Sequence, residues 1–329
     1  MTNCTINMLD ERSLAVFNKV FKLFNSNKKL SDDKEYLHQF DSISSTAITN
    51  FDAKRVDYQS GLDVLSLHMN RYGEIPTLLR LRARGLYELG RHDEAIVDCL
   101  KAIDLVPNYV YAYNTCAYLY NTLDEHEKAI DMIDKAIILE PEFYSLYINR
   151  SVSNQALRDI EGAIKDLDSA VTISPDVWIA YHKRGELHRL LNHYDEALKD
   201  FDRSIELNEA NYSTYIHRAV SRNILGQYSG AIADYTKVIR HNPNFVPAYF
   251  GRGRSYAKLE NSESAVSDYN VVIELDEGFK GAGYFYRCME RIKEQDDEAA
   301  MEDYSKALRF DSSIRIPFDV LKKSIVEEK

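Results

Sequence analysis

Glycine, proline and cysteine are all scarce in this chain of 329 residues, which contains 13 Gly, 7 Pro and 4 Cys. So few turn-forming residues argue against the short strands and frequent turns of an all-β protein, and they favour a helical fold. The cysteines are far apart and lack CxxC spacing, which indicates reduced thiols rather than a disulfide framework or a zinc site. They are Cys4, Cys99, Cys116 and Cys288.

Basic residues and long apolar runs are also lacking. The 41 Lys and Arg residues are outnumbered by 52 Asp and Glu residues, and the resulting net charge of -11 disfavours a nucleic-acid partner. No stretch reaches the roughly 18 uninterrupted apolar residues that a membrane span needs. The beginning of the sequence has no basic start followed by an apolar core, as a signal peptide would. We therefore expect a soluble, cytoplasmic protein without a membrane span.

The sequence does contain an internal repeat with a period of 34 residues. Between successive repeat markers lie two amphipathic stretches, separated by a break near Gly90 or Gly226 and ended by a proline, and this pattern predicts a pair of helices. The alanine markers, with one step of 35, are Ala95, Ala129, Ala163, Ala197, Ala231, Ala265 and Ala300, and the prolines are Pro107, Pro141, Pro175 and Pro243.

Two further positions recur on the first helix of each unit. A small residue allows the two helices to approach closely, and an aromatic residue four positions earlier fills the space beside it. The small residues are Ala83, Ala117, Ser151, Gly185, Ala219, Gly253 and Cys288, and the aromatic residues are Tyr113, Tyr147, Tyr181, Tyr215, Tyr249 and Tyr284.

These residues and their period resemble the tetratricopeptide repeat family. The resemblance covers seven repeats, residues 76–314, and implies an all-α, right-handed superhelical solenoid of helix-turn-helix repeats. The sequence departs from the family pattern where Glu209, Glu277 and Ser312 replace the terminal proline, and where one residue is inserted before the seventh repeat.

The segments outside the repeats are expected to cover the two ends of the array. Residues 1–75 are predicted to form an N-terminal helical cap, in which residues 40–75 could be a degenerate eighth hairpin. The apolar face of residues 11–25 is interpreted as part of this cap or, alternatively, as a helix that docks a partner. Residues 315–329 are predicted to form a C-terminal capping helix, because Phe318, Leu321 and Ile325 are interspersed with Lys and Glu.

An arginine on the first helix and an aspartate on the second recur in every repeat except the second, where Cys116 and Met132 replace both. This joint replacement indicates that the two side chains pair within one hairpin. A bidentate, partly buried pair of this kind fixes the register of two helices rather than binding phosphate. The predicted pairs are Arg82 with Asp98, Arg150 with Asp166, Arg184 with Asp200, Arg218 with Asp234, Arg252 with Asp268 and Arg287 with Asp303.

In the family the first helices line a concave groove, and the corresponding positions of this chain are net basic. Seven are basic and two, Glu88 and Glu186, are acidic, so the groove carries +5 and the remainder -16. Such segregation is expected to steer an acidic or carboxylate-bearing segment into the groove. The basic residues are Arg80, Arg84, Lys183, Arg189, Arg254, Lys258 and Lys293.

Amides and apolar side chains lie between these basic residues. Asn114 and Asn149 can both donate to and accept from a peptide backbone, and Val152 and Phe250 offer apolar surface. An alternative interpretation is that this mixture is an ordinary solvated helix face. The predicted peptide-binding residues are Arg80, Arg84, Asn114, Tyr118, Asn149, Val152, Lys183, Arg189, Phe250, Arg254 and Lys258.

The family's carboxylate clamp for chaperone tails does not fit this sequence well. In the best window only Asn149 matches the clamp pattern, and Lys183 is a partial substitute for its arginine.

Enzyme motifs are not found either: the sequence has no glycine-rich phosphate loop, HExxH or GxSxG. His182, Glu186 and His217 could approach one another on adjacent repeats, but helical histidines commonly face solvent. The sequence therefore predicts neither a metal site, nor a cofactor, nor catalysis. It predicts a scaffold that binds protein or peptide segments in the groove. Two alternatives remain open, a co-chaperone or secretion-chaperone-like protein and a non-catalytic regulatory subunit of an enzyme.

Overall fold

The computed structural model describes residues 62, 65–66, 69–70, 73–311, 314 and 316–327, and no strand occurs in that part of the chain. The prediction of an all-α fold is confirmed. The helices with defined bounds are α1 (Pro76–Glu88), α2 (His92–Leu105), α3 (Val110–Thr122), α4 (His126–Leu139), α5 (Tyr144–Ala156), α6 (Ile160–Ile173), α7 (Trp178–Leu190), α8 (Tyr194–Leu207), α9 (Tyr212–Ile224), α10 (Tyr228–His241), α11 (Val246–Lys258), α12 (Ser262–Leu275), α13 (Lys280–Lys293), α14 (Asp297–Phe310) and α15 (Phe318–Glu327).

The helices α1 to α14 follow one another as seven pairs, each joined by a turn of three residues. The middle residue of every turn has a positive φ, between 57° and 74°. In the first turn the Gly90 amide donates to the Tyr87 carbonyl and the Arg91 amide to the Leu86 carbonyl, which satisfies the carbonyls at the end of α1. Only two turns use glycine for this left-handed residue. The seven middle residues are Gly90, Asp124, Arg158, Asn192, Gly226, Glu260 and Gln295.

Close contact between the helices of a pair depends on small side chains. The repeated alanines from Ala95 to Ala300 are fully buried. A Cβ atom added to Gly185 would lie 2.7 Å from the Phe201 ring, and one added to Gly253 would lie 2.7 Å from the Tyr269 ring. Because those rings are themselves completely buried, they fill the space that a larger residue on the first helix would need.

The chain divides into two compact units, residues 1–169 and 170–329. In the first unit, α1 contacts α3 and α3 contacts α5. In the second unit, α7 contacts α9, α9 contacts α11, and α11 contacts α13. The first helices of successive hairpins therefore form one continuous layer within each unit, and we call its surface the first-helix face of that unit.

Both termini of the repeat array are packed against other residues of the chain. Leu62 and Met69 are helical and buried, Leu62 in a cluster with Ala83 and Met69 in a cluster with Leu78. The rest of the predicted N-terminal cap, including residues 11–25, lies outside the described residues. At the other end, α15 contacts α13 and buries Leu321 and Ile325 in a cluster that also contains Cys288 and Tyr304.

None of the helices within the described ranges combines the length and the apolar character that crossing a bilayer would require.

Candidate functional site

The recurring arginines and aspartates pair within their own hairpins, so this prediction is confirmed. Each arginine donates from its Nε and a terminal nitrogen to the carboxylate on the second helix, 16 residues later, at distances of 2.6 to 3.1 Å. The aspartates are buried, and the Asp98 hydrogen bond raises the pKa of the Arg82 guanidinium. We call this set of pairs the arginine–aspartate ladder.

The ladder arginines also have contacts that the sequence pattern did not predict. Arg150 donates to Asp134 and Arg218 to Asp202, both at 2.6 Å, and each of these aspartates belongs to the preceding hairpin. Arg252 and Arg287 reach Thr236 and Asn270 in the same way. Five ladder arginines also lie 5.4 to 5.6 Å from the ring centroid of the recurring tyrosine three residues before them. These arginines are therefore used in holding hairpins together.

A second recurring arrangement lies on the first-helix face. It consists of two residues one turn apart on the first helix of a hairpin and a third residue on the first helix of the following hairpin. We call each such set of three a slot. Three slots contain distinctive side chains: the amide slot (Asn114, Tyr118 and Asn149), the histidine slot (His182, Glu186 and His217) and the cation slot (Phe250, Arg254 and Tyr286).

In the amide slot, Asn149 Nδ2 donates to Asn114 Oδ1 at 2.7 Å. No hydrogen bond of Asn114 Nδ2 or Asn149 Oδ1 to a described residue is found, so one amide donor and one amide acceptor remain available. Tyr118 is 46% exposed and meets the Tyr87 ring edge-on at 5.5 Å, and partial burial raises the pKa of its hydroxyl. Asn121, one turn beyond, is occupied by bonds to Asn149 O, Ser153 and His126.

In the cation slot, the Arg254 guanidinium lies 6.0 Å from the Phe250 ring centroid and 5.5 Å from the Tyr286 centroid. The two rings meet edge to face, with centroids 5.1 Å apart and an interplanar angle of 88°. Arg254 is exposed, and Lys258 is exposed one turn later on α11. Neither cation has an ion pair with any residue in the described part of the chain. Tyr286 is not among the residues predicted from the sequence, although it occupies a groove position of the seventh repeat.

In the histidine slot, His217 Nε2 lies 3.0 Å from Glu186 Oε1, and His182 Nε2 lies 3.6 Å from Glu186 Oε2. His182 Nδ1 shares a hydrogen bond of 2.9 Å with the Thr214 hydroxyl. Burial lowers the pKa of His182. The pKa of Glu186 is also lowered, because the His217 hydrogen bond and nearby positive charges outweigh the effect of burial. The expectation that these histidines face solvent is wrong, since both are partly buried and hydrogen-bonded.

The other cations predicted to line the groove differ in exposure. Arg80 is only 5% exposed and donates to the Tyr109 hydroxyl at 3.1 Å, so the expectation that it is an open groove cation is wrong. Arg84 is exposed, and Lys183 is half-buried. Lys293 pairs with Glu290 at 2.7 Å. Because these environments differ, formal charge at groove positions overstates the positive charge that reaches the surface.

Two predicted contact residues are half-buried. Val152 lies on α5 beside the amide slot, one turn after Ile148. Arg189 lies near the end of α7, and its Nε is buried without a hydrogen-bond partner among the described residues.

Comparison with known proteins supports the same architecture. Tetratricopeptide repeat models match residues 110–143, 178–211 and 225–278. None of the curated proteins matches this sequence well enough to count as a relative.

Solved structures with this fold include the C-terminal part of a TPR repeat-containing protein from Cytophaga hutchinsonii, at 17% identity and a TM-score of 0.60, over 74% of this chain and 97% of that chain. A tetratricopeptide repeat protein from Parabacteroides merdae has 20% identity and a TM-score of 0.51, over 77% and 97%. YrrB, described as a TPR protein with an unusual peptide-binding site, has 19% identity and a TM-score of 0.50, over 63% and 97%. At these identities the likeness concerns the fold. With its repeat period, its helical hairpins and the three matching repeat models, the chain contains tetratricopeptide repeats.

Proposed function

We propose that this protein is an interaction scaffold whose second unit binds acidic or carboxylate-bearing protein segments at the cation slot. Tetratricopeptide repeat proteins are in general non-catalytic scaffolds for protein–protein contacts, and YrrB is described as having a peptide-binding site. The observation that carries the proposal is the exposure of Arg254 and Lys258 on one stripe of α11 without an acidic partner among the described residues.

The aromatic rings make the cation slot more selective than an isolated surface arginine. Stacking on Phe250 and Tyr286 restricts the Arg254 guanidinium, so less side-chain entropy is lost when it binds a carboxylate. Its planar fork can donate two hydrogen bonds to one carboxylate, and Lys258 supplies a second charge one turn away. An acidic side chain or a chain-terminal carboxylate flanked by an apolar residue fits this combination of charge and aromatic surface.

The amide slot of the first unit supports binding of a peptide backbone. Asn114 Nδ2 and Asn149 Oδ1 provide a donor and an acceptor side by side, which matches the N–H and C=O groups of an extended segment. The exposed Tyr118 and Arg84, with Val152 on α5, add apolar and charged contacts in the same unit. Lys183 and Arg189 are assigned a weaker, long-range electrostatic contribution in the second unit because both are half-buried.

Fluorescence anisotropy with a series of labelled peptides graded in net charge tests this proposal. Acidic peptides are expected to bind more tightly than neutral or basic ones and to weaken as salt increases, because exposed charges are screened. The double variant Arg254→Glu/Lys258→Glu should lose this preference. The control, Lys199→Glu/Lys237→Glu, makes the same change of charge at exposed positions of the second helices α8 and α10. Equal losses in the two variants would mean that only the overall charge matters and would contradict the proposal.

A further inference from the structure

The histidine slot combines the side chains that bind divalent transition metals. One donor atom from each of His182, Glu186 and His217 lies within 4.8 Å of the other two, and all three residues belong to the second unit. Two imidazoles and a carboxylate are a ligand set that zinc accepts readily. Tetrahedral ligands at zinc distances of 2.0–2.2 Å are about 3.3 Å apart. His217 Nε2 lies 3.0 Å from Glu186 Oε1 and His182 Nε2 lies 3.6 Å from Glu186 Oε2, so each imidazole is close to that distance from one of the two carboxylate oxygens.

The protein backbone fixes the relative positions of these donors. His182 and Glu186 are one turn apart on α7, so their side chains project from the same stripe of the helix. His217 lies on α9, which contacts α7. The three donors therefore come from two packed helices and do not depend on a loop.

The orientation of both imidazole rings is also supported. The Thr214 hydroxyl bonds to His182 Nδ1 at 2.9 Å, and Asn211 Nδ2 donates to that hydroxyl oxygen at 2.9 Å. Since Thr214 occupies Nδ1, His182 Nε2 is the nitrogen directed toward Glu186. The ring of Phe201 stacks against His217 with centroids 6.0 Å apart, and Gly185 leaves the space for that ring. Hydrogen bonds and packing of this kind outside the ligands are a regular feature of metal sites.

Solvent can reach the cluster. The side chains of Glu186 and His217 are 32% and 25% exposed, whereas His182 is 12% exposed. A metal ion can therefore enter from the first-helix face and keep at least one coordination position for water or for a side chain of a partner. The nearby Lys183 carries a positive charge that opposes binding, but its ammonium is not part of the slot.

We propose that His182, Glu186 and His217 bind a divalent transition-metal ion, with zinc the best match to the ligands. Glu186 hydrogen-bonds to His217 and lies near His182, and a bound metal would take the place of the proton between Glu186 and His217. This proposal is independent of the peptide binding proposed above, because the cation slot shares no residue with the histidine slot.

Titration of the full chain with Zn²⁺ against a competing chelating dye tests the site. We expect saturable binding of one Zn²⁺ per chain and, with Co²⁺ as the probe, the visible absorption bands of a cobalt ion with nitrogen and oxygen ligands. Glu186→Gln and His217→Asn should each weaken Zn²⁺ binding at least about tenfold. Removal of a residue that only hydrogen-bonds to a metal ligand already weakens metal binding by about that factor, so loss of a ligand should cost no less. Thr214→Val should weaken it by about tenfold as well.

His193→Asn is the matched control, because it removes an exposed histidine from the N-terminal cap of α8, a position that accepts asparagine. Its Zn²⁺ affinity should equal that of the unchanged protein. Circular dichroism checks that each variant is folded. Because Glu186→Gln keeps the size of the side chain, the test does not depend on His217→Asn, which loses the imidazole ring. Zinc should also raise the melting temperature of the unchanged protein and of the control, and at the same zinc concentration it should raise that of Glu186→Gln by less. Absence of a saturable equivalent of Zn²⁺, or equal affinity in Glu186→Gln and the control, would overturn the proposal.

Discussion

Two arginines on α11, only two positions apart, have opposite environments. Arg252 donates twice to the buried Asp268, reaches Thr236 of the preceding hairpin, and lies over Tyr249. Arg254 is exposed on the first-helix face and is held by two aromatic rings. The two arginines carry the same charge but have different neighbouring side chains. Those neighbours determine whether an arginine stabilises the repeat or remains available to a ligand. Formal charge counted along a helix face does not make this distinction.

The largest effect should follow from removing the arginine of the ladder. Arg252→Ala leaves the Asp268 carboxylate buried without its main cation, and we expect the free energy of unfolding to fall by about 2–3 kcal/mol. This is slightly less than the full cost of breaking a buried pair, since Arg252 keeps some contact with solvent. Urea unfolding monitored by circular dichroism measures the change. If Arg252→Ala lowers the free energy of unfolding no more than Arg254→Ala does, the stabilising role assigned to Arg252 is contradicted.

Gly253, between the two arginines, provides the next effect in size. A methyl group at this position would meet the fully buried Tyr269 ring at 2.7 Å. Overpacking of this kind commonly costs about 1–3 kcal/mol, partly offset by the better helix propensity of alanine. Gly253→Ala should therefore destabilise the protein by about 1–2 kcal/mol in the same urea experiment. A stabilised variant would show that the ring moves away without cost.

The second hairpin suggests how the ladder pair can be tested as a unit. Cys116 and Met132 stand there in place of the arginine and aspartate, and Cys116 is fully buried, which raises the pKa of its thiol to about 12. We expect Arg252→Cys/Asp268→Met to be more stable than the sum of its two single changes predicts, with a coupling of about 1–2 kcal/mol in a double-mutant cycle. Additive losses would mean that the two residues do not act as a pair.

The smallest effect on stability is expected at Arg254. Arg254→Ala removes cation–π contacts worth less than about 1 kcal/mol at an exposed site. The same change should lower the affinity for an acidic peptide about tenfold, which corresponds to roughly 1.4 kcal/mol of binding free energy. Measuring both quantities on one preparation separates binding from folding. If Arg254→Ala strongly destabilised the protein but left its affinity for the acidic peptide unchanged, Arg254 would have a structural role and not the binding role assigned to it.

The sequence was sufficient to predict the features that repeat. Ala95 and its equivalents, and the tyrosine before five of the six ladder arginines, recur at fixed spacing and reveal the helix pairs. The joint replacement of the pair by Cys116 and Met132 reveals the contact within a hairpin. The contacts of Arg150 with Asp134 and of Arg218 with Asp202 were missed because aspartate does not recur throughout at this position: Thr236 and Asn270 replace it in later repeats.

Exposure and contacts between hairpins were much less predictable. Arg80 and Arg254 occupy groove positions in the sequence pattern, yet Arg80 is buried against Tyr109 and Arg254 is exposed, because the neighbouring side chains decide the outcome. The histidine slot was recognised only as a possible approach of three residues. Its hydrogen bond to Thr214 and the ring of Phe201 depend on packing between helices, which residue spacing does not specify.

The central claim is that the first-helix face of the second unit, and in particular the cation slot, binds an acidic segment. An acidic peptide carrying a photoreactive group, cross-linked to the full chain and mapped by mass spectrometry, tests it most directly. We expect cross-links to the segments of α11 and α13 that contain Phe250 and Tyr286. Their yield should fall in Arg254→Glu/Lys258→Glu and stay unchanged in Lys199→Glu/Lys237→Glu. Cross-links confined to the second helices α8, α10 and α12, with the same yield in both variants, would contradict it.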